Sequence, residues 1–230
     1  MRYPGGKNQE GVAQWIINQQ PPHSFYVEAF VGSGAVLRMK KPAEHNIAID
    51  CDADVVRDLK SQLTAIVSAS VIRGDAVDWL KHFKYGRDAL VYCDPPYLQE
   101  TRRSKQAIYR HEFNTEEQHR ELLKVLIKLK CNVMLSGYRS SLYDAMLKGW
   151  RRVEKEVTLR AGIKAVECLW MNYAEPMALH DYRYLGNNFR ERERLKRIKH
   201  NWKERLLQMP WLERRALASV FAEIDDAGPG

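Results

Sequence analysis

The densest chemistry in the chain is the stretch Ala89-Leu90-Val91-Tyr92-Cys93-Asp94-Pro95-Pro96-Tyr97. Leu90 to Cys93 is short, apolar, β-branched and aromatic, which reads as a buried strand. It ends on an acid, two prolines and a ring. Pro95 pushes Asp94 out of helical space, and neither proline has an N–H to continue a ladder. The strand end should present a carboxylate, a carbonyl and a flat surface at the rim of a sheet, where open α/β sheets hold ligands. Those groups suit an exocyclic amine such as adenine N6, whose lone pair is delocalised into the ring. Acceptors on its two N–H bonds, from Asp94 and the Pro95 carbonyl freed by Pro96, draw the lone pair out of conjugation. Tyr97 offers a face on which an extruded base can stack. Methyl transfer to such a nitrogen can be direct and in line, driven by positioning and electrostatics without a covalent cysteine. The plain alternative is a strand followed by a proline turn.

A second constellation is Glu28-Ala29-Phe30-Val31-Gly32-Ser33-Gly34. Its glycines allow a ligand close to the backbone where a strand turns into a helix, and no Gly-Lys-Ser/Thr follows to make a phosphate loop. Asp50 ends the next strand about 18 residues after Gly32, the spacing at which an acid reaches an adenosine ribose. These features mark an adenosine cofactor without separating NAD from S-adenosylmethionine. Asp94 to Tyr97 favours the latter. Glu28, Phe30, Gly32, Gly34, Asp50 and Asp75 are candidate cofactor residues.

Elements must position these groups. Strands are expected at Phe25 to Phe30, Asn46 to Asp50, Ser70 to Arg73, Leu90 to Cys93 and Asn132 to Ser136. Helices are expected at Val12 to Asn18, from Ala35, at Ala53 to Val67, near Ala76 to Phe83, from Thr115 through Leu129, and at Ser140 to Leu147. Thr115 and Gln118 have capping-box spacing. Alternation of strand and helix predicts an α/β fold with a parallel sheet covered on both faces. Trp150 to Leu159 and Val166 to Tyr173 read as an antiparallel hairpin at its edge. From Ala174 the composition shifts, and charged helices follow at Phe189 to Leu207 and Trp211 to Ile224. This gives a catalytic domain over residues 1–180 and a basic helical extension over residues 181–230.

The 230 residues are 45% hydrophobic and 29% charged, a globular balance in which no apolar run could span a bilayer. The N-terminus has no signal-like apolar core, so the expected location is cytoplasmic. The four cysteines lack metal or disulfide spacing and read as buried thiols, and the seven histidines form no ligand pattern, so no metal is expected. His111 and His119 read as loop and helix-surface residues. A net charge of +8 favours a polyanionic partner. Arg102, Arg103, Lys105 and Arg110, just after the acidic turn, and Arg194 and Arg197 in the basic helix are the candidate phosphate contacts. A merely solvated helix is the alternative for the last two.

In order along the chain these motifs resemble the DNA adenine-N6 methyltransferases of the DNA adenine methylase type. Tyr3-Pro4-Gly5-Gly6-Lys7 is similar to their N-terminal Trp/Tyr-x-Gly-Gly-Lys, and Glu28 to Gly34 to their Glu-Pro-Phe-x-Gly-x-Gly, with Ala29 replacing proline. Asp50, Asp94 to Tyr97 and Leu135-Ser136-Gly137-Tyr138 match later strand ends, and the resemblance spans roughly Met1 to Tyr173. It implies a Rossmann-like sheet, S-adenosylmethionine as cofactor, and a flipped adenine of DNA as substrate. It also implies that Tyr3, Lys7, Asp50 and Asp94 contact the cofactor, and that Asp94, Pro95, Pro96 and Tyr97 serve the base, in an enzyme of a bacterium or phage.

One departure bears on specificity. The family usually inserts a target-recognition domain after the acidic strand, whereas here only one helix separates Asp50 from Val71, and Asp78 to Ala89 is too short for a domain. Relaxed or short-site specificity is the expectation. The rivals are methylation of RNA adenine or of cytosine N4, a nucleotide-sensing DNA-binding protein without catalysis, and a nicotinamide dehydrogenase.

Overall fold

The structure is a computed structural model, and it describes residues 7, 11–63, 69–82, 84, 86–101, 113–158 and 164–226. Seven strands form one sheet: β1 (Phe25–Ala29), β2 (His45–Asp50), β3 (Ser70–Arg73), β4 (Ala89–Cys93), β5 (Asn132–Gly137), β6 (Arg151–Thr158) and β7 (Lys164–Met171). Their order is β3-β2-β1-β4-β5-β7-β6. The first five are parallel, and β7 runs antiparallel to both β5 and β6. The expected α/β sheet with a terminal antiparallel hairpin is therefore present.

Strand side chains alternate between two apolar layers, as the period of two requires. Val27, Ala29, Val91, Cys93, Val133 and Leu135 share one face with residues of α4 (Ala76–His82), α5 (Glu116–Lys128) and α6 (Ser141–Met146). Tyr26, Leu90, Tyr92 and Met134 share the other with residues of α1 (Val12–Ile17), α2 (Ala35–Met39) and α3 (Ala53–Leu63). Burial of β4 on both faces explains its unbroken apolar sequence.

Two expectations are corrected. His119 is 1% exposed, because it stands on α5 at helical spacing with Leu122, Leu123 and Leu126 and so faces the sheet. Its Nε2 meets the Phe113 carbonyl at 3.0 Å and its Nδ1 the Tyr143 hydroxyl at 2.8 Å. A carbonyl can only accept, which places the ring proton on Nε2. Cys51 is exposed where the chain leaves β2, while Cys93, Cys131 and Cys168 are buried thiols as expected. Thr115 and Gln118 do form a capping box at the start of α5.

By contacts the chain divides between Tyr184 and Leu185. Asp181 falls in the first unit, where its carboxylate takes the Lys41 N–H at 2.8 Å and pairs with Arg183. The second unit consists of α7 (Phe189–Gln208), capped by Asn188, and α8 (Trp211–Asp226). Trp202, Trp211, Leu212 and Phe221 are exposed on it. No helix of the described residues is long and apolar enough to cross a membrane.

Candidate active site

The parallel register brings the ends of four strands to one rim. Ala29 lies beside Ile49 and Cys93, and Cys93 beside Leu135, so the residues after β1, β2, β4 and β5 emerge together. The strand order also reverses between β1 and β4, the point where a crevice opens in such sheets.

On one side of this point, the turn after β1 is bent tightly. Phe30, Gly32 and Gly34 all have positive φ, at 59°, 49° and 62°. Glycine tolerates that geometry, whereas Phe30 is held in it by its surroundings. Its ring meets Phe113 edge-on at 5.0 Å between centroids, and Phe113 in turn meets His119. Asp50 anchors the turn: its Oδ2 accepts the Gly32 N–H and its Oδ1 the Asp52 N–H, both at 2.9 Å. Asp75 is exposed and caps α4 through the Asp78 N–H at 2.8 Å.

Glu28 is placed differently. Its side chain is buried under the sheet, where its Oε2 accepts the Tyr26 hydroxyl at 2.8 Å. Burial pushes its carboxyl up to about 8; the Tyr26 hydrogen bond opposes that rise and the charge of Asp94 adds to it.

On the other side, Asp94 follows β4 with its backbone N–H directed to the Ala29 carbonyl at 3.4 Å. The Lys7 ammonium reaches its Oδ1 at 2.6 Å and Glu167 Oε1 at 3.1 Å. It also donates to the Tyr97 hydroxyl at 2.5 Å. That hydroxyl donates to Glu167 and lies 3.4 Å from Asp94 Oδ1. Lys7 is 4.9 Å from the centroid of the Tyr97 ring, which puts it beyond the hydroxyl rather than above a face. Tyr138, after β5, meets the Tyr97 ring edge-on at 4.5 Å.

The electrostatics follow from two acids sharing one ammonium. Burial opposes the charge on Lys7, but Asp94 and then Glu167 outweigh it and hold the group above the ordinary lysine range. Burial raises Asp94, and Lys7 and the Tyr97 hydroxyl pull it back. Glu167 is likewise raised by burial and by Asp94, against Lys7. Burial, together with the charges of Glu167 and Asp94, keeps Tyr97 a neutral phenol, able to donate. The side chain of Asp94 is 18% exposed against 5% for Glu167, so Asp94 is the carboxylate open to the crevice. Both neighbours meet its Oδ1, and among the described residues its Oδ2 takes no hydrogen bond.

The structure thus brings Lys7, Asp94, Pro95, Pro96 and Tyr97 to one rim, with Phe30, Gly32, Gly34 and Asp50 at its neighbouring strand ends. Tyr3, Arg102, Arg103, Lys105, Arg110 and His111 lie outside the described residues. Arg194 and Arg197 are exposed on α7 in the second unit. Sequence reasoning missed Glu167. Its signal was a lone acid in the run Val166-Glu167-Cys168-Leu169-Trp170, where an unpaired charge would be too costly to bury.

Residues 57–160, which contain Asp94 to Tyr97, match the family described as D12 class N6 adenine-specific DNA methyltransferase. That segment therefore carries a methyltransferase domain, and the cofactor of its chemistry is S-adenosylmethionine. No curated protein matches the chain. Among solved structures, the precorrin 8w decarboxylase of Methanobacterium thermoautotrophicum is similar at 13% identity and a TM-score of 0.49, over 75% of this chain and 94% of that one. The N-methyltransferase NodS of Bradyrhizobium japonicum WM9 is similar at 12% identity and 0.49, over 70% and 92%. A dimethyladenosine transferase of Plasmodium falciparum is similar at 13% identity and 0.45, over 69% and 60%.

Proposed function

We propose that this chain is an enzyme that methylates the N6 amine of adenine in DNA, with relaxed or short-site specificity. The observation that carries this reading is Asp94 itself. It is a strand-end carboxylate with one oxygen held by Lys7 and the other without a hydrogen bond among the described residues, beside prolines and Tyr97. The family match over residues 57–160 supports adenine and DNA as the substrate.

The rim suits S-adenosylmethionine chemically. Asp94, the more exposed of the two carboxylates around Lys7, turns its negative charge toward the crevice in which a sulfonium would sit. Asp50, anchored at the end of β2 by two backbone N–H groups, is the acid that would meet the ribose hydroxyls. Tyr3, Phe30, Gly32, Gly34 and Asp75 would complete that subsite. Bound there, S-adenosylmethionine supplies an electrophilic methyl on a sulfonium.

The protein's part is binding and polarisation. Asp94 Oδ2 accepts one N–H of the amine and the Pro95 carbonyl the other, which brings the nitrogen lone pair out of conjugation. Asp94 is also the acceptor nearest to the proton that the nitrogen must release. Tyr97 stacks on the base, which has left the duplex to reach it. Arg102, Arg103, Lys105 and Arg110, which follow Tyr97 in the sequence, and Arg194 and Arg197 on α7, would neutralise phosphates. Among the described residues no cluster could hold a metal, and none is needed for this transfer. A cytoplasmic location follows from a DNA substrate.

The test is methylation of duplex DNA, single-stranded DNA and RNA at matched salt, with nucleoside mass analysis. N6-methyladenine from DNA is expected; N4-methylcytosine, or product confined to RNA, would overturn the proposal. In D94A transfer should fall at least about a hundredfold, with calorimetric affinity for S-adenosylmethionine kept within about tenfold, since a single hydrogen bond to a charged group has that weight. Base-resolution mapping of methylated genomic DNA then reads specificity: many short sites are expected, and one long motif would overturn that part.

A further inference from the structure

Glu167 lies outside every motif singled out in the sequence, yet it touches two members of the site. It stands on β7 one residue before Cys168, which is opposite Gly137 at the end of β5. Because β7 runs antiparallel, its early residues extend over the rim where the parallel strands stop. Glu167 is 4% exposed and is thus placed to act through its neighbours rather than on a substrate.

We infer that Glu167 is a positioning residue for the amine methylation proposed above, on which this inference rests. It draws the Lys7 ammonium and the Tyr97 hydroxyl toward β7 and thereby leaves Asp94 an oxygen with which to meet the amine. Two contacts argue this. Lys7 lies 2.6 Å from Asp94 and 3.1 Å from Glu167, so the ammonium is shared. A carboxylate that shares its counter-charge remains a stronger acceptor than one in an exclusive pair. The Tyr97 hydroxyl has a single proton, and its contact with Glu167 is closer than its 3.4 Å separation from Asp94. That proton therefore goes to Glu167, while the oxygen accepts from Lys7 at 2.5 Å. Both potential donors are held on the Oδ1 side of Asp94, leaving Oδ2 to the crevice.

A purely structural glutamate would depend on shape, whereas this role depends on charge, and two variants separate the cases. Glu167→Gln keeps the shape and removes the charge; Glu167→Asp keeps the charge on a shorter stem. In E167Q, kcat should fall about tenfold to a hundredfold, the span of one to two hydrogen bonds to charged groups. KM for duplex DNA, calorimetric affinity for S-adenosylmethionine and the thermal midpoint should stay close to wild type. E167D should retain a higher kcat than E167Q.

A wild-type kcat in E167Q overturns the inference, as does E167Q outperforming E167D. A loss of cofactor affinity and heat stability in step with rate assigns Glu167 to structure alone and overturns it too. Should E167Q fail to fold, Tyr97→Phe severs the same link: a lowered kcat with unchanged cofactor affinity is expected, and an unchanged kcat overturns the inference. Nucleoside analysis of the same samples keeps the two readings apart. If wild type methylates another amine, the substrate assignment fails and the E167Q comparison is read on that product. A wild type that methylates no nucleic acid overturns both.

Discussion

The Gly32 N–H donates to Asp50 Oδ2 at 2.9 Å, tying the turn after β1 to the end of β2. The Asp52 N–H takes the other oxygen, so a single carboxylate sets the position of two loops, and in the proposed function it also meets the cofactor ribose. This double duty separates the effects of substituting it.

Asp50→Asn keeps one oxygen acceptor and loses the charge, while Asp50→Ala loses both and leaves the Gly32 N–H without its partner. Affinity for S-adenosylmethionine should fall about tenfold to a hundredfold in the asparagine variant, the loss of hydrogen bonds to a charged acceptor. The alanine variant should bind more weakly still and also unfold at lower temperature. Calorimetric titration and thermal unfolding check this. Equal heat stability in the two variants would show that the loop anchor matters little.

Glu28 provides a prediction about pH. In the unfolded chain its carboxyl releases its proton near the ordinary value of 4.5, whereas the folded protein keeps it up to about 8. Between those limits the folded state binds more protons than the unfolded one, so this group lowers stability as pH rises through the window. By neutral pH the loss is on the order of 3 kcal/mol. Glu28→Gln removes the titrating proton and keeps an oxygen for the Tyr26 hydroxyl. Its stability relative to wild type should climb as pH rises from acid toward about 8, measured by urea unfolding at several pH values. A difference that does not vary with pH would show that Glu28 ionises normally.

Arg194 and Arg197 are exposed on α7, where Arg190, Arg192, Lys196, Lys199 and Lys203 add to the positive charge. If this helix meets phosphates, R194A/R197A should weaken binding to unrelated duplexes alike. It should also reduce the slope of log affinity against log salt by about 1 to 2. Fluorescence anisotropy over a salt series is the measurement. An unchanged slope would assign the charges to solvation of the helix.

Much of the architecture was legible in the residues because strand and helix periods are local. Leu90 to Cys93, a short apolar, β-branched and aromatic run, reads as a buried strand and is one, and Ser70 to Arg73 begins and ends where expected. The Thr115 cap was equally readable, since its partner Gln118 is three residues away. His119 was misplaced because a histidine looks polar, although its spacing from Leu122, Leu123 and Leu126 already put it on the apolar stripe.

The sequence by itself determined the acidic strand end at Asp94, the glycine turn at Gly32 and Gly34, and the alternation that stacks them on one sheet. Only the tertiary structure decided what surrounds Asp94. Lys7 comes from 87 positions away and Glu167 meets Tyr97 across 70. No local pattern links such residues. The antiparallel return of β7 carries Glu167 back over the rim, and that depends on strand order, a property of the folded sheet rather than of any one segment.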